Sequence, residues 1–243
     1  MFRYLEASLI RMVHEIGEEP RAVLVVSGHW TEKELAITSS PNPPMVYDYS
    51  GFPAYTYQVQ YPAPGDPELA AQIRDMLQTA GFKASLDPNQ GFDHGTFTPL
   101  VIMYPEANVP VIQLSLKAGY DPAEHIAIGR ALAPLRDDEV LIIGSGLSYH
   151  NMRAMGPPGA HASQRFDGWL QDTLLRSIGT ARTQKLIDWT SAPSARDAHP
   201  REDHLIPLMV AVGAAENEPA TMVYHEEGLF GGITASSFKF GAP

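Results

Sequence analysis

Three short apolar runs constrain the fold of this chain more than any other feature: RAVLVVS at 21–27, VPVIQLS at 109–115 and EVLIIGS at 139–145. They are rich in β-branched residues and lack the polar alternation of a half-wet strand, so each predicts a strand covered on both faces. Between them lie helix-forming stretches at 66–80 (DPELAAQIRDMLQTA, closed by Gly81), 96–104 and 122–134. Asp66 supplies an N-cap oxygen, Pro67 a pre-set φ at the first helical position, and Glu68 a charge suited to the positive helix end. Buried strands joined through helices of ten or more residues require crossover connections. The expected fold is therefore α/β, with a central mainly parallel or mixed sheet flanked by helices. Further helices are expected at 2–16, 162–177 and 204–215, and a last strand at 233–239. No internal repeat, low-complexity tract or linker divides the 243 residues, which predicts a single domain over 1–243.

Composition narrows the chemistry. The chain has no cysteine, which excludes disulfides, thiolate nucleophiles and cysteine-ligated zinc, so any metal must sit on imidazole and carboxylate. Twenty-eight acidic against 17 basic residues give a net charge of −11, the wrong sign for nucleic acid. No apolar run approaches 18 residues and the amphipathic start is no signal peptide, so neither a membrane span nor export is expected, and the default location is cytoplasmic. The stretch 39–65 (SSPNPPMVYDYSGFPAYTYQVQYPAPG) is too long and too aromatic for a simple connection. It predicts an ordered wall beside a site, with Tyr47, Tyr49, Phe52 and Tyr55 as candidate lining.

Sheets of this kind bind ligands outside the carboxyl ends of their strands. His29 stands two residues past the first apolar run, His150 follows the third, and His94 lies in the loop GFDHGTF just before a helix. His204, preceded by Glu202 and Asp203, is expected to open the apolar helix 204–215. Of the other five histidines, His14 and His125 fall within helical patterns and His161 and His199 in polar stretches. His225, beside Glu226 and Glu227, lacks the i, i+4 histidine of a zincin helix. There is no GxSxG, Walker or dinucleotide motif, which leaves metal or imidazole acid–base chemistry. On the residues alone, a zinc-dependent hydrolase or a non-catalytic metal-binding protein stays open beside a metal-dependent oxygenase.

The segments SGHW around His29, YDYSGFP at 47–53, YPAPGDPELA at 61–70, GFDHGTFTPL at 91–100, MYPEANVPVIQLSL at 103–116, GSGLSYHN at 144–151 and REDHLIPL at 201–208 run in one order over nearly the whole chain. Together they resemble the class III extradiol ring-cleaving dioxygenases, and within them the 4,5-DOPA dioxygenase type, related to the catalytic subunit of protocatechuate 4,5-dioxygenase. The resemblance implies a mononuclear non-haem site holding iron(II), with zinc possible in the same place, and a catechol-type aromatic substrate cleaved with O₂. It implies that His29 and His204 are metal ligands, that His94 serves in acid–base and substrate contacts, and that His150 sits at the metal or beside the substrate. Family members begin with a strand ending in an HG motif whose histidine is a further ligand. No such segment precedes the helix 2–16 here, so a truncated or misassigned start is expected, lacking one core strand and one ligand. The apolar sheet edges leave a homo-oligomer open.

Overall fold

The three apolar runs become adjacent strands. The computed structural model describes residues 2–17 and 19–241. In chain order its elements are α1 (Arg3–Ile16), β1 (Ala22–Glu32), β2 (Leu35–Thr38), α2 (Pro67–Thr79), β3 (Ala84–Asp87), α3 (His94–Met103), β4 (Val111–Lys117), α4 (Pro122–Leu132), β5 (Val140–Ser145), α5 (Ala160–Leu175), α6 (Thr180–Ile187), α7 (Ala195–Ala198), α8 (Ile206–Ala214), β6 (Ala220–Leu229) and β7 (Ile233–Phe240). The main sheet has the order β3-β2-β4-β1-β5. β1 runs parallel to β4 and β5, β2 runs parallel to β3, and β2 meets β4 antiparallel at Ile37 and Leu114, so the sheet is mixed. β6 and β7 form a separate antiparallel pair.

The packing explains why β1 carries no polar alternation. Ala22, Leu24 and Val26 point into a core shared with Ile112, Leu114, Ile126 and Val210, while Val23 and Val25 point the other way, against Phe92, Phe97 and Leu100 of the α3 region. All five β1 residues are fully buried. Each large aliphatic side chain so placed contributes about 1.5–3 kcal/mol of transfer free energy, and a charge at either parity, Val25→Asp for example, would be buried without a partner.

The expected caps form. Asp66 accepts from the Leu69 amide at 2.9 Å and α2 buries Leu69, Ala70, Ile73 and Leu77; Asp121 accepts from the Glu124 amide at the start of α4. The loop 39–65 holds little regular structure, yet it is tied down. Tyr47 donates its hydroxyl to Val59 O (2.7 Å) and Tyr49 to Thr56 O (2.6 Å). Val46 N donates to Phe92 O and Phe92 N to Pro44 O, lacing the loop to the segment just before α3.

Several elements lie outside the expectations. β2 and β3 are four residues each, too short for a periodic signal; β2 is a strand because β4 offers it an edge, and β3 because β2 does in turn. β6 is mostly exposed or half-buried, burying only Val223, Tyr224 and Leu229, and was not expected, nor were α6 and α7. The apolar helix starts at Ile206, leaving His204 in the turn ahead of it, because Pro207 takes the first helical turn. His161 lies within α5. His199 is fully buried at the end of α7 and contacts Ser148 O at 3.0 Å, and His125 is buried in α4. Among the described residues no helix is long and apolar enough to cross a membrane.

Candidate metal centre

Four segments deliver four histidines to one place. His29 comes near the end of β1, where the pairing with β4 shifts register between Val26 and Thr31; such irregularities re-aim a side chain. His94 is the first residue of α3, fixed by its N-cap Asp93, which accepts from the Thr96 amide at 3.1 Å. His150 follows β5, and its amide donates to Ala198 O at 3.0 Å. His204 sits in the turn before α8, its amide donating to Asp203 Oδ1 at 3.0 Å. Ring centroids of His29 and His94 are 3.9 Å apart, those of His29 and His204 4.7 Å at right angles, and those of His150 and His204 3.4 Å in a near-parallel stack. All four residues predicted as site groups are thus brought together. His29, His94 and His204 line a cavity of about 1010 Å³ that is also lined by residues of β5, α1, α3, α8 and β7.

Burial lowers the His29 pKa to about 4, reinforced by the neighbouring His94 and opposed by Asp48. Burial, with His150 and His29 close by, lowers that of His204 to about 2, and burial also lowers His150. At neutral pH these three rings are uncharged. A neutral imidazole has a free lone pair, which is the form that ligates a metal. His204 Nδ1 is buried and has no hydrogen-bond partner. An orphaned acceptor of this kind among stacked neutral imidazoles fits a cation, because nothing else in the site satisfies it.

A second grouping lies beside the first: ligand atoms of His29, Asp48 and His94 fall within 4.8 Å of one another. Asp48 Oδ1 accepts from the His94 amide (2.9 Å) and lies 2.8 Å from His94 Nδ1, while Oδ2 lies 3.2 Å from His29 Nδ1. Those contacts occupy both oxygens. His150 and His204, stacked on each other, lie beside this grouping and outside it. Burial would raise the Asp48 carboxyl, but hydrogen bonds from the His94 ring and amide outweigh it and hold the pKa below the ordinary value.

Behind the histidines lies a buried polar network. Ser27 Oγ donates to Asp93 Oδ1 (2.8 Å) and accepts from the His29 amide (3.2 Å). Gln113 Nε2 donates to the other Asp93 oxygen, and Thr96 Oγ1 donates to Gln113 Oε1 at 2.8 Å. Burial pushes the Asp93 carboxyl up, against the pull of Ser27 and Gln113. The network joins β1, β4 and α3 where His29 and His94 leave them. Sequence reasoning singled out neither Asp48 nor these groups. The available signals were the acid inside YDYSGFP and Gln113, the one amide in the strand VIQLSLK, since buried polar residues are the informative exceptions. Of the aromatic candidates, Tyr49 stands 5.4 Å from the His94 ring and Tyr47 6.0 Å from Phe97, while Phe52 and Tyr55 are exposed. His225 belongs to another cluster, with Ser236 Oγ at 2.9 Å and Asp167 at 3.5 Å.

Comparison with known proteins identifies the family. Residues 7–241 match the family described as the catalytic LigB subunit of aromatic ring-opening dioxygenase. The chain is 41% identical over 230 residues to a 4,5-DOPA dioxygenase extradiol of Beta vulgaris, spanning 92% of this chain and 84% of the relative. It is 35% identical over 245 residues to the dioxygenase tasH of Hapsidospora irregularis, spanning 96% and 75%. A crystal structure of an uncharacterized protein from Escherichia coli K12 superposes with a TM-score of 0.80 at 27% identity, covering 97% of this chain and 92% of that one. With the match running through every segment that carries a site histidine, the chain belongs to the LigB family of aromatic ring-opening dioxygenase catalytic subunits.

Proposed function

We propose that this protein is an extradiol dioxygenase that opens the ring of a catechol-type substrate with O₂ at a metal held by His29, His150 and His204. The observation that carries the reading is the convergence of four histidine rings beside a cavity, three of them with pKa values pushed down by burial and one with an orphaned buried nitrogen. Iron(II) suits these donors and the ring-opening reaction, and zinc suits the same donors. Bound there, iron(II) would supply open positions for catecholate and O₂ together.

The chain's own residues do the rest. His94 is about one-third exposed, lies against His29 and is not needed as a ligand. It takes a proton from a substrate hydroxyl and returns it during ring opening, a role suited to imidazole. His150 is stacked on His204 and in this reading stands both at the metal and beside the substrate position. The hydroxyls of Tyr47 and Tyr49 are committed to backbone carbonyls, so these residues offer ring surface to an aromatic substrate rather than hydrogen bonds.

The test combines metal analysis with oxygen uptake on a panel of catechols. His29→Ala and His204→Ala are expected to lose metal, whereas His94→Ala keeps metal and loses about 10²–10⁴-fold in turnover. Ester or amide cleavage dependent on zinc and without O₂ consumption, or full metal content in His29→Ala, would overturn the reading.

A further inference from the structure

We propose that Asp48 is a positioning residue that locks both His29 and His94 as Nδ1–H tautomers, so that a single carboxylate directs the Nε2 atoms of a metal ligand and of the proton carrier into the site. The inference rests on the assignment of His29 to the metal and His94 to proton transfer.

The geometry is specific about which nitrogens are involved. Both contacts are made by Nδ1, to different oxygens of the same carboxylate: 2.8 Å from His94 to Oδ1 and 3.2 Å from His29 to Oδ2. An ionised carboxylate only accepts hydrogen bonds. The Nδ1 of His94, hydrogen-bonded to Oδ1, must therefore carry the hydrogen, and the Nδ1 of His29, in close contact with Oδ2, is favoured to carry one, since a bare nitrogen would set lone pair against lone pair; whenever such a ring is neutral, its bare nitrogen is Nε2. A ligating histidine whose other ring nitrogen donates to a carboxylate is a recurrent arrangement, and losing the carboxylate typically weakens metal binding 10–100-fold.

Asp48 is itself held in place. Its Oδ1 takes a second hydrogen bond, from the His94 amide. Its neighbours Tyr47 and Tyr49 are tied to Val59 and Thr56, and the strand-like exchange of Pro44 and Val46 with Phe92 fixes the loop to the residues preceding His94. The long aromatic loop thus has a chemical task beyond walling the site. It brings an acid to two histidines from different elements and sets their proton positions together.

The experiment is ¹⁵N–¹H multiple-bond NMR of the histidine rings in the full chain, metal-free and zinc-loaded, with resonances assigned through His29→Gln and His94→Gln. Both rings are expected to show a protonated Nδ1 and a bare Nε2 without metal, and His29 is expected to keep its Nδ1 proton when zinc binds. In Asp48→Asn, whose amide offers one acceptor instead of two, at least one ring is expected to change tautomer, and zinc affinity measured against a chelator falls 10–100-fold. Nε2–H rings in the unsubstituted protein, unchanged tautomers in Asp48→Asn, or loss of the Nδ1 protons on zinc binding, which would make Asp48 a direct ligand, would each overturn the proposal. The unsubstituted protein decides the point even if Asp48→Asn does not fold. These ring spectra need no turnover, so a failed dioxygenase reading and a failed tautomer lock give different results.

Discussion

Gly146 offers a sharp test of how the site is assembled. It lies just past β5, and a methyl group added there would stand 3.0 Å from the carbonyl carbon of His204 and closer still to its oxygen, a backbone group that cannot rotate away. Relief requires the His204 turn to retreat by roughly 0.5–1 Å, since overpacked sites respond by backbone shifts. Such overpacking costs about 1–3 kcal/mol, and each kcal/mol lowers the melting temperature of a chain this size by about 2–4 °C. A functional constellation tolerates roughly 0.5 Å of error, so the same shift is expected to weaken metal binding as well. Gly146→Ala should therefore lose both stability and zinc or iron(II) affinity, measured by urea unfolding of the metal-free protein and by competition with a chromogenic chelator. Gly168→Ala is the control: this glycine is on the exposed face of α5 with no atom near the added methyl, and the change should raise stability by about 0.5–1 kcal/mol through helix propensity without touching affinity. If Gly146→Ala unfolds and binds metal like the unsubstituted protein, close backbone approach is not what places His204.

Acid sensitivity has an identifiable contributor away from the site. His125 is buried, with Nδ1 against Asp121 O at 2.7 Å and Nε2 accepting from the Lys117 amide at 3.1 Å, and burial lowers its pKa. The unfolded chain binds this proton below about pH 6.5 and the folded chain does not, so stability is intact above that pH and falls as the pH drops through it. His125→Gln should make the urea-measured stability slope shallower by up to about 1.4 kcal/mol per pH unit in that window; an unchanged slope would refute it. Asp66→Ala removes the side-chain cap of α2 and should cost about 1 kcal/mol in thermal or urea unfolding, with metal affinity unchanged.

Local pattern accounts for the parts that were legible early. β1, β4 and β5 were readable because strands covered on both faces need apolar residues at both parities, and α2 because Asp66 and Pro67 are start signals within one turn. β2 and β3 were not, since four residues carry too little periodicity and their pairing is set by neighbours distant in sequence. His199 lies in a stretch of polar residues, and only packing of α7 under α5 buries it.

The sequence by itself determined the α/β class, the absence of thiolate chemistry and which four histidines fall in the motif segments that the fold brings together, because composition, strand patterning and motif order are properties of the chain alone. Tertiary structure decided what those histidines can do. The lowered pKa values of His29, His150 and His204 arise from burial and from neighbouring histidines, the orphaned His204 nitrogen exists only once its turn is packed against β5, and Asp48 reaches His29 and His94 across 19 and 46 residues because the aromatic loop folds back on α3. Charge state, unsatisfied donors and shared carboxylates depend on distances through space, and no local pattern encodes them.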